Sequence, residues 1–291
     1  MIWNLGSINA DNFYHLPHLP GPGETLAASE YSYGLGGKGA NMSVAAARAA
    51  ARVIHIGAVG MDGTWAIERL LEYGVDTPHV TVTDVPTGHA NISVDANGEN
   101  SIVLFGGANQ VLTEQMIGAA LTEASPGDIL LMQNETNGQE YAAETAKTLG
   151  LRVAYAAAPF DADAVAAVIE AVDLLILNAV EAEQLKYATG QDLGDLPVDD
   201  IVVTLGADGC NWVSNKGQTE HSFAAYPVDA VDTTGAGDTF TGYLVAGLDR
   251  GMALADAIDL ASQAAALMVM RHGTADVIPD LKEIQDHGFS T

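Results

Sequence analysis

The stretch Leu174-Leu175-Ile176-Leu177-Asn178-Ala179-Val180-Glu181 decides the class of fold. Its apolar half predicts a strand that is buried on both faces, and the polar turn after it predicts the start of a helix. Similar apolar runs lie at residues 129–132, 152–155 and 201–204, each after a helical pattern. This alternation indicates an α/β fold with a mostly parallel central sheet that helices cover on both faces.

The same alternation extends toward both ends of the chain. We expect strands at 2–8 and 52–59, an Ala-rich helix that runs to about residue 51, and further helices at about 64–73, 238–249 and 253–270. Gly74 follows the helix at 64–73 and is a typical stop signal.

Two β-rich regions fall outside the alternation. Residues 12–33 hold prolines and scattered aromatic residues, and residues 86–105 hold two β-rich segments on either side of the turn Asp95-Ala96-Asn97-Gly98-Glu99-Asn100. That turn predicts a hairpin. We therefore expect one domain over residues 1–291, with the two regions forming a small β-sheet lid.

Composition excludes several classes of protein. The chain has 291 residues, 48% of them hydrophobic, with 11 Lys and Arg against 38 Asp and Glu and a formal net charge of −27. It is too apolar for disorder, and it lacks the basic surface that nucleic acid or an anionic membrane would bind. The single Cys210 excludes a disulfide framework, so we expect a cytoplasmic protein.

The run Gly34-Leu35-Gly36-Gly37-Lys38-Gly39 has three interpretations. Its spacing fits the fingerprint of a dinucleotide-dependent dehydrogenase. That motif, however, follows the first strand, and an Asp or Glu lies about 20 residues later at the end of the next strand. Here the first strand lies at 2–8, and the next ends in Gly57-Ala58-Val59-Gly60 without an acid. The run otherwise predicts a turn that only caps a helix, or a loop whose backbone approaches a ligand closely.

A second run, Asp232-Thr233-Thr234-Gly235-Ala236-Gly237-Asp238-Thr239-Phe240, places two acids around small residues just before a helix. The first amides of that helix would form an anion site. Asp238 would lie beside the anion, where a carboxylate can take a proton from an attacking hydroxyl. The alternative, an ordinary acidic N-cap, explains neither the glycines nor the second acid.

The two runs together resemble the two signatures of the ribokinase-like (PfkB) sugar kinase family. Four shorter motifs match in the family's order: Gly6-Ser7-Ile8-Asn9-Ala10-Asp11, Pro22-Gly23-Glu24-Thr25, Asn178-Ala179-Val180-Glu181 and Thr204-Leu205-Gly206-Ala207-Asp208-Gly209. The resemblance covers nearly the whole chain. It implies a ribokinase-like three-layer α/β/α sandwich with a β-sheet lid.

The resemblance also implies roles at the matching positions. The implied sugar contacts are Asn9, Asp11, Gly37, Lys38, Asn41, Glu135 and Asp238. The implied catalytic base is Asp238, and the implied anion hole is Gly235, Ala236 and Gly237. The implied nucleotide contacts are Asn178, Thr204, Gly206, Gly209 and Gly237, with Glu181 acting on Mg²⁺ indirectly.

The chain departs from the family in two places. A monovalent-cation site would use Asp232, Thr234, Met268, Arg271 and Gly273, but Val277 stands where the family often has Ser. The family also usually has a full helix before the strand at 201–204. Residues 190–197 are too short and too rich in Gly and Pro for one, so we expect the sheet to lack a covering helix there.

The implied activity is phosphoryl transfer from ATP, with Mg²⁺ and with K⁺ or a similar ion as activator. Asn9, Asp11, Lys38, Asn41 and Glu135 favour D-ribose as the substrate and D-ribose 5-phosphate as the product. Another sugar, a nucleoside, or a role as a non-catalytic sensor of sugar or nucleotide remain alternatives. Family resemblance and the exposed face of a small lid sheet also predict a homodimer through the lid.

Overall fold

The computed structural model describes residues 1–289 and contains the helix-covered sheet that the sequence predicts. Its strands are β1 (Ile2–Leu5), β2 (Asn9–His15), β3 (Glu30–Gly36), β4 (Val53–Gly60), β5 (Asp76–Thr83), β6 (Gly88–Val94), β7 (Asn100–Phe105), β8 (Ile129–Gln133), β9 (Arg152–Ala156), β10 (Leu174–Asn178), β11 (Asp200–Thr204), β12 (Cys210–Ser214) and β13 (Thr219–Phe223). Its α-helices are α1 (Lys38–Arg48), α2 (Thr64–Glu72), α3 (Glu114–Leu121), α4 (Gln139–Thr148), α5 (Ala162–Val168), α6 (Ala179–Thr189), α7 (Ala236–Asp249), α8 (Leu254–Met268) and α9 (Leu281–His287).

The central sheet has nine strands in the order β13-β12-β11-β10-β9-β8-β1-β4-β5. The strands from β11 to β5 are parallel, and β12 and β13 add an antiparallel pair at one edge. Because parallel strands all end at the same side of a sheet, the loops after β1, β8, β10 and β11 meet there. That side is where open α/β sheets bind ligands.

Helices cover both faces of this sheet, which confirms the three-layer sandwich. Ile129 and Leu131 of β8 belong to one core and Leu130 and Met132 to the other, since side chains alternate between the faces of a strand. The first core holds α1, α2, α7, α8 and α9, and the second holds α3 to α6.

The lid is a separate four-stranded sheet in the order β3-β2-β6-β7. Its strands come from the two β-rich regions that the sequence singles out. The predicted hairpin joins β6 to β7, and the Asp95 amide donates to the Glu99 carbonyl at 2.9 Å. Asn9 and Asp11 lie on β2, so the lid carries two of the predicted sugar contacts.

Some boundaries differ from the sequence expectation. The first strand ends at Leu5 rather than at residue 8, and the next residue, Gly6, lies so close to α1 that a Cβ on it would be 2.6 Å from Gly39 Cα. The antiparallel pair β12–β13 was not predicted, since β12 is only partly buried, β13 is mostly exposed, and neither strand has a long apolar run. A further helix, α9, follows the two helices expected at 238–249 and 253–270.

Residues 190–197 contain no α-helix, as expected, and only one 3₁₀ turn at Leu193–Asp195. The sheet accordingly has no further covering helix between α6 and β11, which confirms the expectation. Helix α6 fills the crossover between β10 and β11, and its Leu185 is buried in the second core. Within residues 1–289 the structure holds no helix of the length and apolarity needed to cross a bilayer.

Candidate active site

The predicted site residues converge at the carboxyl side of the sheet. Glu135 lies two residues after β8, and Asn178 and Thr204 end the neighbouring strands β10 and β11 in register. Helices α1 and α7 both begin at this side, at Lys38 and Ala236. The site therefore combines loops after parallel strands with the amino ends of two helices.

Glycine is required where the loop after β1, at Gly6, crosses the segment Gly37 to Gly39 that leads into α1. We call these two segments the glycine loops. A Cβ atom on Gly39 would lie 2.3 Å from the Ser7 amide nitrogen and 2.4 Å from Gly6 Cα. Gly37 has a φ of 91°, which disfavours any other residue. These contacts place the start of α1 directly against the turn after β1.

Asp238 lies in the first turn of α7 and is only 7% exposed. Its Oδ2 accepts a hydrogen bond from Asn41 Nδ2 at 2.9 Å, and its Oδ1 lies 3.8 Å from Lys38 Nζ. Gly242 lets α7 approach α1 closely, since a Cβ there would be 2.5 Å from Ala45 Cβ. The close packing of the two helices thus sets the distance between Asp238 and its partners.

The lid presents a donor and an acceptor toward the same place. Asn9 Oδ1 accepts from Asn109 Nδ2 at 2.8 Å, so the Asn9 amide nitrogen is left to donate to a ligand. Asp11 is 8% exposed and lies against Gly36, where a Cβ would be 1.9 Å from its carboxylate. Asn41 Oδ1 is buried and has no hydrogen-bond partner within residues 1–289.

The site concentrates negative charge. Burial, together with the nearby carboxylates of Glu135 and Asp238, raises the pKa of Asp11 to about 7. The charge of Asp238 is the main cause that raises the pKa of Lys38, with Glu135 and Glu181 contributing. Lys38 therefore stays charged and partly neutralises the acids around it.

Glu135 is held below the glycine loop by two donors. Its Oε2 accepts from Ser7 Oγ at 2.5 Å and from the Lys38 amide at 3.0 Å. Ser7 Oγ also accepts from the Gly39 amide at 3.2 Å. Glu135 thereby joins the loop after β8 to both crossing loops.

Asn178 and Glu181 form a capping box at the start of α6. Asn178 Oδ1 accepts from the Glu181 amide at 2.9 Å, and Glu181 Oε2 accepts from the Asn178 amide at 2.8 Å. Burial raises the pKa of Glu181, which Lys38 lowers and Asp238 raises further. The second carboxylate oxygen of Glu181 is not used by the box.

The predicted nucleotide contacts follow on β11 and its loop. Thr204 Oγ1 donates to the Leu177 carbonyl at 3.4 Å. Gly206 and Gly209 have φ values of 62° and 96°, and a Cβ on Gly209 would be 1.9 Å from the Phe223 carbonyl oxygen. Gly209 is thus explained by its packing against the strand end, and its contact with a nucleotide stays a prediction.

The predicted anion hole lies where α7 begins. Gly235 adopts a φ of 74° before the helix, and the Ala236 amide donates to the Thr233 carbonyl at 3.3 Å. The first amides of a helix have no carbonyl one turn before them, so those of Gly237 and Asp238 are suited to bind an anion. The anion hole itself stays a prediction.

The segments predicted to bind a monovalent cation are close together. Asp232 Oδ1 accepts from the Thr234 amide at 2.9 Å, and its Oδ2 accepts from the Gly273 amide at 3.4 Å. The Met268 carbonyl, however, accepts from the Arg271 amide at 3.1 Å. The Arg271 side chain donates to the Val277 carbonyl and pairs with Glu283.

Sequence reasoning missed the roles of Ser7 and Asn109. Ser7 lies inside a quoted motif but received no role. Asn109 exchanges hydrogen bonds with the backbone of Ile8 and holds Asn9, although about 100 residues separate it from both. The preceding pair Gly106-Gly107 is the local signal that marks this turn.

Two chemical alternatives can be tested on this geometry. Gly34 and Gly36 lie in β3 of the lid rather than after a strand of the parallel sheet, so the dinucleotide fingerprint has the wrong context. In the described part of the chain, no group of three or more His, Cys, Asp and Glu side chains is arranged to hold a metal. Mg²⁺ in kinases is bound by one or two carboxylates plus substrate phosphates, which the free oxygen of Glu181 fits.

Comparison with known proteins agrees with the motifs. Residues 3–281 match the family model described as pfkB family carbohydrate kinase. The chain is 38% identical to a ribokinase of Haemophilus influenzae over 96% of this chain and 95% of that protein.

Comparison with solved structures finds the same family. The fold is similar to that of a ribokinase from Cryptococcus neoformans in complex with ADP, at a TM-score of 0.87, 32% identity and coverage of 99% and 98% of the two chains. It is also similar to Arabidopsis thaliana ribokinase complexed with ribose and ATP, at a TM-score of 0.84, 28% identity and coverage of 98% and 97%. The protein therefore belongs to the pfkB family of carbohydrate kinases.

Proposed function

We propose that this protein transfers the γ-phosphoryl group of ATP to D-ribose, giving D-ribose 5-phosphate, with Asp238 as the general base. One observation carries the proposal. The Asp238 carboxylate is held by Asn41 and Lys38 at a helix start, directly beside the polar groups that the lid and the loop after β8 present.

The proposed step is an in-line transfer. Asp238 takes the proton of the attacking hydroxyl as its oxygen bonds to the γ-phosphorus, and the bond from that phosphorus to the β-phosphate oxygen breaks to release ADP. Lys38 and the first amides of α7 stabilise the charge on the transferring group. Closure of the lid excludes water, which would otherwise accept the phosphoryl group.

Cations complete the proposed site. Mg²⁺ would be held by the nucleotide phosphates and, through water, by Glu181, and would neutralise phosphate charge. A monovalent ion such as K⁺ would bind at the loops of Asp232 and Gly273 as an activator. The residues of this chain orient the sugar and the base.

The sugar pocket is suited to a small polyol. Asn9 offers a donor, and Asp11 and Asn41 offer acceptors, so adjacent hydroxyls of one sugar ring can be bound in a fixed orientation. A coupled assay of ADP release across ribose, 2-deoxyribose, fructose, 2-keto-3-deoxygluconate and nucleosides tests the proposal. The highest kcat/KM is expected with ribose. Preference for a different substrate would overturn the assignment, and nucleotide binding without turnover of any of them would indicate a sensor.

Replacing Asp11 by Asn is expected to stabilise the sugar-free protein while weakening sugar binding. A carboxyl pKa raised to about 7 from 3.8 means that the folded state holds this proton more tightly than the unfolded state. The stability it contributes is full below pH 3.8 and is lost as the pH rises toward 7. The free energy of unfolding of Asp11→Asn should therefore rise relative to that of the parent between pH 4 and pH 7, by about 4 kcal/mol at the plateau above pH 7.

The exposed Asp84→Asn is the matched control for that experiment, and its unfolding should follow the parent at every pH. Sugar KM should rise for Asp11→Asn alone, since the amide no longer offers two acceptor oxygens. A variant no more stable than the parent at pH 8 would contradict the assigned burial of this charge.

We also propose that two chains pair through their lids. Strand β7 is an edge strand in which Ile102 is 52% and Leu104 is 58% exposed, with Val103 and Phe105 also exposed on the opposite face. A strand edge with apolar residues on both faces is costly to leave in water. A second copy of the lid would cover these apolar side chains with its own apolar β7 strand.

Light scattering at micromolar concentration tests this pairing, and the parent is expected to be a dimer. Leu104→Lys should give monomers, because a charge at the covered face loses its hydration. Tyr187→Lys on α6, at a side chain that is 93% exposed, is the control and should remain dimeric. A monomeric parent would remove the proposal.

A further inference from the structure

A chain of four buried polar side chains lies beneath the crossing glycine loops. Asn4 on β1, Ser43 on α1, His55 on β4 and Gln133 at the end of β8 are all fully buried. We call these four residues the buried polar network. The proposed mechanism does not use them.

The network is continuous. His55 Nδ1 lies 2.8 Å from Ser43 Oγ, and Asn4 Nδ2 donates to the same Oγ at 2.8 Å. Gln133 Nε2 donates to Asn4 Oδ1 at 2.7 Å. Three strands and one helix are thereby joined at a single level below the site.

The hydrogens in the network can be assigned from chemistry. His55 Nε2 lies 3.0 Å from the Gly6 carbonyl oxygen, which only accepts, so Nε2 carries the hydrogen. Burial lowers the pKa of His55 to about 4, so Nδ1 is unprotonated and accepts from Ser43. Ser43 then accepts from Asn4, and each bond has one direction.

The network ends on the backbone of both crossing loops. His55 donates to the Gly6 carbonyl, and the second hydrogen of Asn4 Nδ2 donates to the Gly39 carbonyl at 2.8 Å. The opposite side of these loops carries Ser7 and Lys38, which bond to Glu135. The two glycine loops are therefore clamped between the network and the substrate-facing residues.

We propose that the buried polar network is a positioning device, which fixes the glycine loops so that Lys38 and Glu135 face the sugar. This inference rests on the proposed function of the site. Stability alone does not explain the network, because apolar side chains of similar shape at such positions are often as stable as hydrogen-bonded ones. Apolar side chains cannot, however, donate hydrogen bonds to the backbone carbonyls of Gly6 and Gly39.

The double variant Ser43→Ala/His55→Phe tests the proposal. It removes the link to Gly6 and makes both side chains apolar, but the Asn4 Nδ2 hydrogen that bonds Ser43 loses its acceptor, so the unfolding temperature is measured alongside. The KM for ribose is expected to rise about tenfold, with the KM for ATP changed by less than about twofold, because only the sugar-side loops are released. A purely structural role would lower the unfolding temperature and leave both KM values as in the parent.

Asn215→Ala is the matched control, since Asn215 Nδ2 donates to the carbonyls of residues 193, 196 and 198 at the far end of β11. It should lower the unfolding temperature without changing either KM. A folded double variant with the parent's KM for ribose would overturn the positioning role, whereas a parent that does not phosphorylate ribose would overturn only the proposed substrate.

A second measurement does not depend on the variant folding. Nitrogen-15 NMR of the parent should show His55 as the neutral Nε2–H tautomer. An Nδ1–H tautomer would abolish the bond to the Gly6 carbonyl, which has no hydrogen to donate, and would reverse the bond to Ser43, so it would contradict the network as described.

Discussion

Asp238→Asn is expected to lower kcat by two or more orders of magnitude while nucleotide binding is retained. The amide cannot take the hydroxyl proton, and it also removes the negative charge that lies 3.8 Å from Lys38 Nζ. Its carbonyl oxygen can still accept from Asn41 Nδ2, so the packing of α1 against α7 should persist. Turnover is measured with ribose at saturation, and nucleotide binding by the rise in unfolding temperature with ADP.

Asp256→Asn is the matched control, because Asp256 occupies the first turn of α8 just as Asp238 occupies that of α7. Normal turnover is expected for this variant. Turnover near the parent's level in Asp238→Asn would show that another group accepts the proton, and the catalytic assignment would then be wrong.

Removal of divalent metal is expected to lower turnover by on the order of a thousandfold or more. The reason is charge: ATP would enter a site already lined by Asp11, Glu135 and Asp238. Of the 11 Lys and Arg residues, only Lys38 lies in a core motif. One ammonium group cannot balance these carboxylates and a triphosphate together, so the free energy of binding and of the transition state depends on added cations.

The measurement is turnover in excess chelator, followed by addition of Mg²⁺. Recovery is expected on addition, and the unfolding temperature of the substrate-free protein should not change with chelator, because the proposed Mg²⁺ is held mainly by the nucleotide phosphates. Undiminished turnover in chelator would contradict the electrostatic account of the site.

The buried parallel strands were predictable because their signal is local. An apolar run such as Leu174-Leu175-Ile176-Leu177 is dictated by burial on two faces, and all four runs of this kind are strands of the central sheet. The pair β12–β13 was missed, since an edge pair with one face toward water has no such run. The end of the first strand was predicted at residue 8 rather than at Leu5, because the close contact between Gly6 and Gly39 joins segments that are remote in sequence.

The sequence by itself determined the family and the layered fold and predicted the chemistry of the site, because motifs such as Gly36-Gly37-Lys38-Gly39 combine residue types that local backbone chemistry requires. Only the tertiary structure decided which groups meet. Asn41 and Asp238 bond across 197 positions, and Gln133 and Asn4 across 129. A hydrogen bond depends on distance and direction in space, whereas sequence periodicity reports only whether a residue faces the core. The roles of Asn109 and of the buried polar network therefore became visible only in the folded chain.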